Sequence, residues 1–180
     1  DGNTNPGGNV TIIAGGQDAT DSNTATGGFV FVTTGKSVTS SSGSFFLKTA
    51  DAGTRGVTGS INLSTGAATA LSSGVINIMT GASSCGASGT INVKAGTSTL
   101  GSGGNINLVA GSTSSSTDSD TGGNVTIESG FSTNFDSGRV DIGTVDGGTL
   151  GHSGQMQLST GESSSETSGE IKMYTGKADK

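Results

Sequence analysis

The chain has 180 residues, a mass of 17.3 kDa and a formal net charge of −6, and 34 of its residues are glycine. Only 29% of the residues are hydrophobic and 4% aromatic, which is less than an ordinary globular core of this length requires. The few Lys and Arg are scattered and no apolar run is long enough to cross a bilayer. We therefore expect no nucleic-acid partner and no membrane span in this segment.

Eleven short repeats run from Gly8 almost to the last residue, most of them 15 residues long. Each repeat starts with a glycine, called position zero: Gly8, Gly28, Gly43, Gly59, Gly74, Gly89, Gly104, Gly123, Gly138, Gly154 and Gly169. Position two is always a large apolar residue: Val10, Val30, Phe45, Ile61, Ile76, Ile91, Ile106, Val125, Val140, Met156 and Ile171. Position four is too: Ile12, Val32, Leu47, Leu63, Ile78, Val93, Leu108, Ile127, Ile142, Leu158 and Met173.

The residues between these apolar positions vary freely, and a period of two predicts a β-strand with one buried face. Position six is small or Thr, and position seven is Gly in nine of the eleven repeats, which is typical of a tight turn with positive φ. A return rich in Ser, Thr and Gly then leads to the next repeat. Small residues at position nine, such as Ser37 and Ser83, suggest close contact between two layers.

A single short strand cannot bury its own face, whereas stacked copies can. The repeats therefore predict an all-β fold: a parallel β-solenoid, or β-helix, of about eleven rungs of about 15 residues with a thin core, forming one domain over residues 1–180. Like residues would then lie above one another, with an outer asparagine ladder of Asn62, Asn77, Asn92 and Asn107. Cys85 is the single cysteine, so no internal disulfide can form.

The chain also has a longer period of about 95 residues, or six repeats. "TADAGTRG" at Thr49 corresponds to "TVDGGTLG" at Thr144, and the two longest returns precede repeats two and eight. We assign one whole super-repeat to residues 8–103 and a partial second one to residues 104–180. Because residues 1–7 align with the end of a sixth repeat and Asp1 is not Met, we expect a segment of a longer array.

Several outward positions are candidate contact or modification sites. Phe29, Phe31 and Phe46, with Ile13 beside them, form an apolar patch that predicts lateral contact with a partner or another copy, and incidental exposure explains it about equally well. Asn9, Asn62 and Asn124 stand in N-x-[ST] sequons, where glycans would be sterically possible in a secreted eukaryotic protein.

Two groups of charged residues could form a binding or catalytic site, or could simply be solvated surface residues. The acidic returns could bind Ca²⁺ through carboxylate oxygens, although solvated loop carboxylates explain them better: Asp18, Asp21, Asn23, Asp118 and Asp120. The outward residues Glu128, Arg139 and Asp141 have the chemistry of a polysaccharide-degrading site, but a flat strip offers no cleft. His152 has no partner in its return. We predict no enzyme activity, no catalytic or metal site and no cofactor.

The repeat Gly-x-apolar-x-apolar-x-Thr-Gly with a Ser-rich return resembles β-solenoid arrays of secreted adhesins, fibre shafts and surface appendages, over residues 7–176. The resemblance implies an extracellular, cell-surface structural protein that forms filaments by end-to-end stacking and lateral contact with itself, other fibre proteins or glycans. Together with the sequons, it leads us to expect a glycoprotein. The rung length also resembles insect antifreeze solenoids, so a free-standing module binding glycan or ice is the alternative. Outward Phe, Lys and Met interrupt the flat threonine array that ice binding needs.

Overall fold

A computed structural model describes residues 7–16, 26–116 and 120–177 of the chain. Those ranges contain no α-helix and no β-strand, and none of their residues is buried. The predicted all-β parallel solenoid is therefore wrong, and so is the thin core of stacked Val and Ile. Position-nine residues consequently do not lie between two sheets.

The exposed surface shows how little the chain buries. It amounts to 18535 Å², whereas a compact protein of this mass exposes about 7,800 Å² and its unfolded chain about 25,000 Å². The chain thus buries roughly a quarter of its unfolded surface, where a compact domain of this size buries roughly 70%. The hydrogen bonds of the described residues span at most 13 positions, from Gly28 to Gly15, and the longer ones join one repeat to the next.

Between positions zero and six the described residues form no strand. Three pairs of side chains at positions one and three contact each other, which requires both members to lie on the same side of the chain. Arg139 forms an ion pair with Asp141 at 2.7 Å, and Lys172 forms one with Glu170. The rings of Phe29 and Phe31 stack with centroids 5.7 Å apart. The predicted β-strands with one buried face are therefore wrong, and what the described residues show is side chains two positions apart in contact on one side of the chain.

Most 15-residue repeats turn around at a serine in position nine. The Ser98 hydroxyl oxygen accepts a hydrogen bond from the Gly101 N–H at 2.9 Å, three residues later. The hydroxyl oxygens of four more position-nine serines accept the same bond at 3.0–3.1 Å: Ser37 from the Ser40 N–H, Ser83 from Gly86, Ser132 from Phe135 and Ser163 from Glu166. A hydroxyl in this position replaces a backbone acceptor and stabilises a tight turn locally. Serine at position nine is thus a turn residue.

The two 16-residue repeats turn without a hydroxyl. The Gly56 N–H donates to the Gly53 carbonyl oxygen at 3.3 Å, and the Gly151 N–H donates to that of Gly148 at 3.0 Å. Position nine in these repeats is Ala52 or Gly147, neither of which has a side-chain acceptor. The extra residue allows the backbone to close the turn by itself, which accounts for the difference in repeat length.

Each return ends at a neck, where the position-zero glycine meets positions six and seven of the preceding repeat. In five necks a backbone hydrogen bond of 2.8–3.1 Å joins the two stretches of backbone. The position-zero N–H donates to the position-seven carbonyl oxygen: Gly28 to Gly15, Gly43 to Gly35, Gly104 to Gly96, Gly123 to Gly111 and Gly138 to Gly130. The return therefore brings the chain back to the end of the segment that it left. In a parallel solenoid it would pass the start of that segment instead.

The other five described necks lack this bond, and all have Thr at position six. At Gly59, Gly74, Gly89, Gly154 and Gly169 the nearest atom to the site of an added Cβ is the γ-methyl of that Thr, at 3.2–3.8 Å. In these five necks the branched side chain occupies the space beside the glycine, whereas the Gly43 neck keeps the backbone bond although its position six is also a threonine, Thr34. In the Gly89 neck, the Thr80 hydroxyl donates to the Gly89 carbonyl oxygen at 3.2 Å.

The position-zero glycines are needed for close approach, and no described glycine has a positive φ. An added Cβ at Gly104 would lie 3.2 Å from the Ala95 Cβ, whereas at the position-seven Gly96 it would meet nothing within 4 Å. The predicted positive φ at position seven is therefore wrong. Close approach occurs at several position-zero glycines, and the tightest described glycine is Gly147 at position nine, where an added Cβ would lie 2.6 Å from the Gly151 carbonyl oxygen.

The chain divides into two units, Asp1–Ile91 and Asn92–Lys180. In the first unit, two hydrogen-bonded necks precede three threonine-filled ones; the second unit has three hydrogen-bonded necks and then two threonine-filled ones. Counted from repeat one, the type of neck thus repeats after six repeats. The turn of Gly53 and Gly56 likewise recurs 95 residues later at Gly148 and Gly151. The assigned boundaries of the super-repeats and the single domain stay predictions.

Replacing the position-zero glycine of a neck should open that neck. Gly104→Ala brings a methyl group against Ala95 and the Gly96 backbone, and we expect a cost of about 1 kcal/mol. Protection of the residue-104 N–H from hydrogen exchange, measured by NMR, should then fall about five-fold. Gly96→Ala is the matched control, because its Cβ enters open space, and it should leave that protection unchanged or raised. Equal loss in both variants would contradict the neck geometry.

Removing the serine hydroxyl should loosen a turn. Ser98→Ala leaves the Gly101 N–H without its acceptor, and we expect a cost of about 1 kcal/mol, as for a lost helix cap. The temperature coefficient of the Gly101 amide proton shift should move towards that of a solvent-exposed amide. Ser102→Ala, in the same return but without such a bond, should leave the coefficient unchanged; a similar change in both variants would contradict the role of position nine.

Candidate functional site: an exposed apolar row

The most regular chemical feature of the chain is the set of large apolar side chains at positions two and four, which we call the apolar row. Each unit carries its own part of this row. The nine least exposed large apolar side chains of the described residues are all at position two, with exposed fractions from 46% at Val140 to 57% at Val30. Apolar side chains in the returns are more exposed, up to 102% at Leu100 and Leu150. The row is thus half covered by its own repeats.

The best-covered residues lie where the chain closes on itself. Only six of the described residues are partly buried, and all six are at position six or nine: Ala14, Ser37, Thr49, Ala95, Ala110 and Ser132. These small side chains occupy the necks and the Ser-capped turns. The order of the chain therefore comes from its returns, and the apolar row stays accessible to another molecule.

The described residues form no pocket. They also hold no cluster of three or more His, Cys, Asp or Glu side chains that could bind a metal ion. Within the same ranges, no helix has the length and apolarity needed to cross a bilayer. What the structure offers for binding is therefore open surface.

The predicted aromatic patch has its own local structure. Phe29 stacks on Phe31 with an angle of 30° between the rings, and both side chains are exposed. Phe46 and Ile13 are exposed as well, and no described ring stacks on Phe46. The structure thus joins two of the four residues and leaves their role in lateral contact a prediction.

The predicted polar sites are all accessible. The sequon residues Asn9, Asn62 and Asn124 are exposed, as are the asparagines of the predicted outer ladder, Asn62, Asn77, Asn92 and Asn107. No described hydrogen bond involves the side-chain amides of the predicted ladder. Glycosylation and the ladder both stay predictions.

The charged candidates separate into a pair and isolated residues. Arg139 pairs with Asp141, whereas Glu128 forms no ion pair with either residue. Asp120 accepts a hydrogen bond of 2.6 Å from the Ser115 hydroxyl, which is a loop contact. Asp18, Asp21, Asn23 and Asp118 lie outside the described residues. His152 and Cys85 are exposed.

The sequence reasoning missed the turn-forming role of serine at position nine. The spacing Ser-x-x-Gly, present at Ser83 and Ser98, was the signal that could have revealed it, because a hydroxyl commonly caps the amide two or three residues ahead. The sequence reasoning also missed that the position-zero glycine contacts the preceding repeat in the neck. A glycine at the start of every repeat was the signal for this close approach.

Comparison with known proteins assigns no relationship: no family model matches the chain, and neither curated proteins nor solved structures match it. The functional argument therefore rests on the chain's own residues.

The ring stack of the aromatic patch can be tested directly. Phe29→Leu should abolish the ring-current shift that Phe29 exerts on the Phe31 ring protons, because it removes the only ring within stacking distance among the described residues. Two-dimensional NMR measures these shifts. Phe131→Leu is the control, since Phe131 is exposed as well and has no stacked ring. Unperturbed Phe31 shifts in Phe29→Leu would contradict the stack.

Proposed function

We propose that the chain is an extracellular structural protein, a repeat segment of a fibre, surface appendage or adhesin that acts by associating with further copies. The single observation that carries this proposal is that all 22 side chains of the apolar row, two in each of eleven repeats, are at least 46% exposed. A row that recurs so regularly and stays about half exposed or more is the kind of surface that marks an interaction site.

The energetics favour association over an isolated ordered chain. Ordering a residue costs about 1–2 kcal/mol of conformational entropy, and apolar burial is the main term that offsets it. Burial of roughly a quarter of the unfolded surface leaves most of that cost without compensation. Contact with other copies would supply the missing burial, so we expect order to increase with assembly.

The extracellular location is proposed from different features. The glycine- and serine-rich repeats are like those of surface arrays, and three exposed sequons are available to glycans. The absence of a pocket in the described ranges supports a structural role, because a small-molecule site is ordinarily concave.

Labelling of intact source cells with an antibody against the chain tests the extracellular location. A signal seen only after the cells are permeabilised would overturn it.

Self-association should be visible in the purified chain. Sedimentation velocity over a wide concentration range should show growth beyond a dimer, and electron microscopy of the concentrated sample should show unbranched fibres. Circular dichroism recorded along the same series should show ordered structure increasing with concentration. A chain that stays monomeric and ordered at every concentration would contradict the proposed function.

A further inference from the structure

The charges of the chain are distributed unequally between its two kinds of segment. The extended segments, positions zero to six, contain only three acidic and four basic residues: Glu128, Asp141, Glu170, Lys48, Lys94, Arg139 and Lys172. The other eleven acidic and four basic residues lie outside these segments, mostly in the returns. The segments that carry the apolar row are therefore nearly neutral, and the acidity of the chain is concentrated in the returns.

Two ion pairs place opposite charges side by side within the extended segments, whose net charge is +1 from four basic and three acidic residues. Arg139 neutralises Asp141, and Lys172 neutralises Glu170, each within its own segment. Such exposed pairs contribute little to stability. Their effect is that the flank of the apolar row presents no strong charge of either sign to an approaching molecule.

We propose that the partner of the apolar row is the apolar row of a second copy of this chain, with the acidic returns of both copies pointing to solvent. This inference rests on the proposed function and specifies its surface. A second copy has the same spacing between apolar side chains, so the contact can be continued from repeat to repeat. A neutral apolar strip faces its own copy without repulsion, whereas two acidic returns repel each other.

The available surface is large enough for such an interface. A stable interface buries about 800 Å² per partner, and the chain exposes 18535 Å², roughly 10,000 Å² more than a compact protein of its mass. An acidic or basic partner would find no opposite charge on the row. The row therefore favours an apolar partner whose side chains have the same spacing as its own. A copy of the same chain has both properties.

The test compares lysines placed on the row and in a return. Ile76→Lys puts a charge on a position-two side chain that is 51% exposed, and Leu71→Lys puts the same charge on a return side chain that is 88% exposed. Sedimentation equilibrium should show that Ile76→Lys weakens self-association about ten-fold or more. Leu71→Lys should leave association unchanged or stronger, because it lowers the acidity of the return.

Two further measurements separate this inference from the proposed function. Ile106→Lys and Leu100→Lys repeat the comparison in the second unit, and dilute circular dichroism checks that the variants keep the wild-type monomer spectrum. Raising the salt concentration should strengthen wild-type association, because it screens repulsion between acidic returns. If the wild type does not associate, the proposed function fails. If it associates while row and return lysines act equally, or salt weakens it, the row is not the interface.

Discussion

The closure of each return at its neck is the contact on which the rest of the described structure depends. There the position-zero glycine approaches positions six and seven of the preceding repeat, either through a backbone hydrogen bond such as Gly104 to Gly96 or across a threonine methyl such as that of Thr80. At the tightest of these necks, Gly89 and Gly104, an added Cβ would lie 3.2 Å from its neighbour, which would have to shift. Because the neck returns the chain to the end of the segment that it left, it also excludes the stacking of like positions that a solenoid requires. The exposed apolar row follows from this geometry.

The alternation predicted that side chains two positions apart share a side of the chain, whereas the β-strands predicted from it are absent from the described residues. Alternation of apolar and variable residues reports an extended backbone with two faces, and the pairs Phe29–Phe31 and Arg139–Asp141 show those faces. Alternation carries no information about which backbone, if any, forms hydrogen bonds with the segment. That is why the parallel ladder was wrong. The 95-residue period was inferred from similar segments at Thr49 and Thr144. The turns and the order of the neck types recur at the same interval.

The candidate site was only partly predictable. The exposed aromatic residues followed from their outward parity, but the stack of Phe29 on Phe31 depends on side-chain torsions that the pattern does not specify. The apolar row was identified by sequence and assigned to a buried core, because a regular row of Val and Ile is ordinarily buried. The path of the returns determines whether such a row is covered by its own chain or by another molecule. Here the Ser-capped turns and the glycine necks set that path and leave the row exposed.

The central claim is that the apolar row is accessible in the isolated chain and becomes covered on association. Paramagnetic relaxation of methyl protons by a soluble gadolinium chelate measures this accessibility residue by residue in NMR. In dilute solution the methyl groups of Ile76 and Ile106 should relax strongly, somewhat less than those of Leu71 and Leu100, in keeping with their exposed fractions. On concentration, the row should become protected while the return leucines stay accessible. Protection of Ile76 and Ile106 already in the dilute monomer would contradict the account, because it would show that the chain covers its own row.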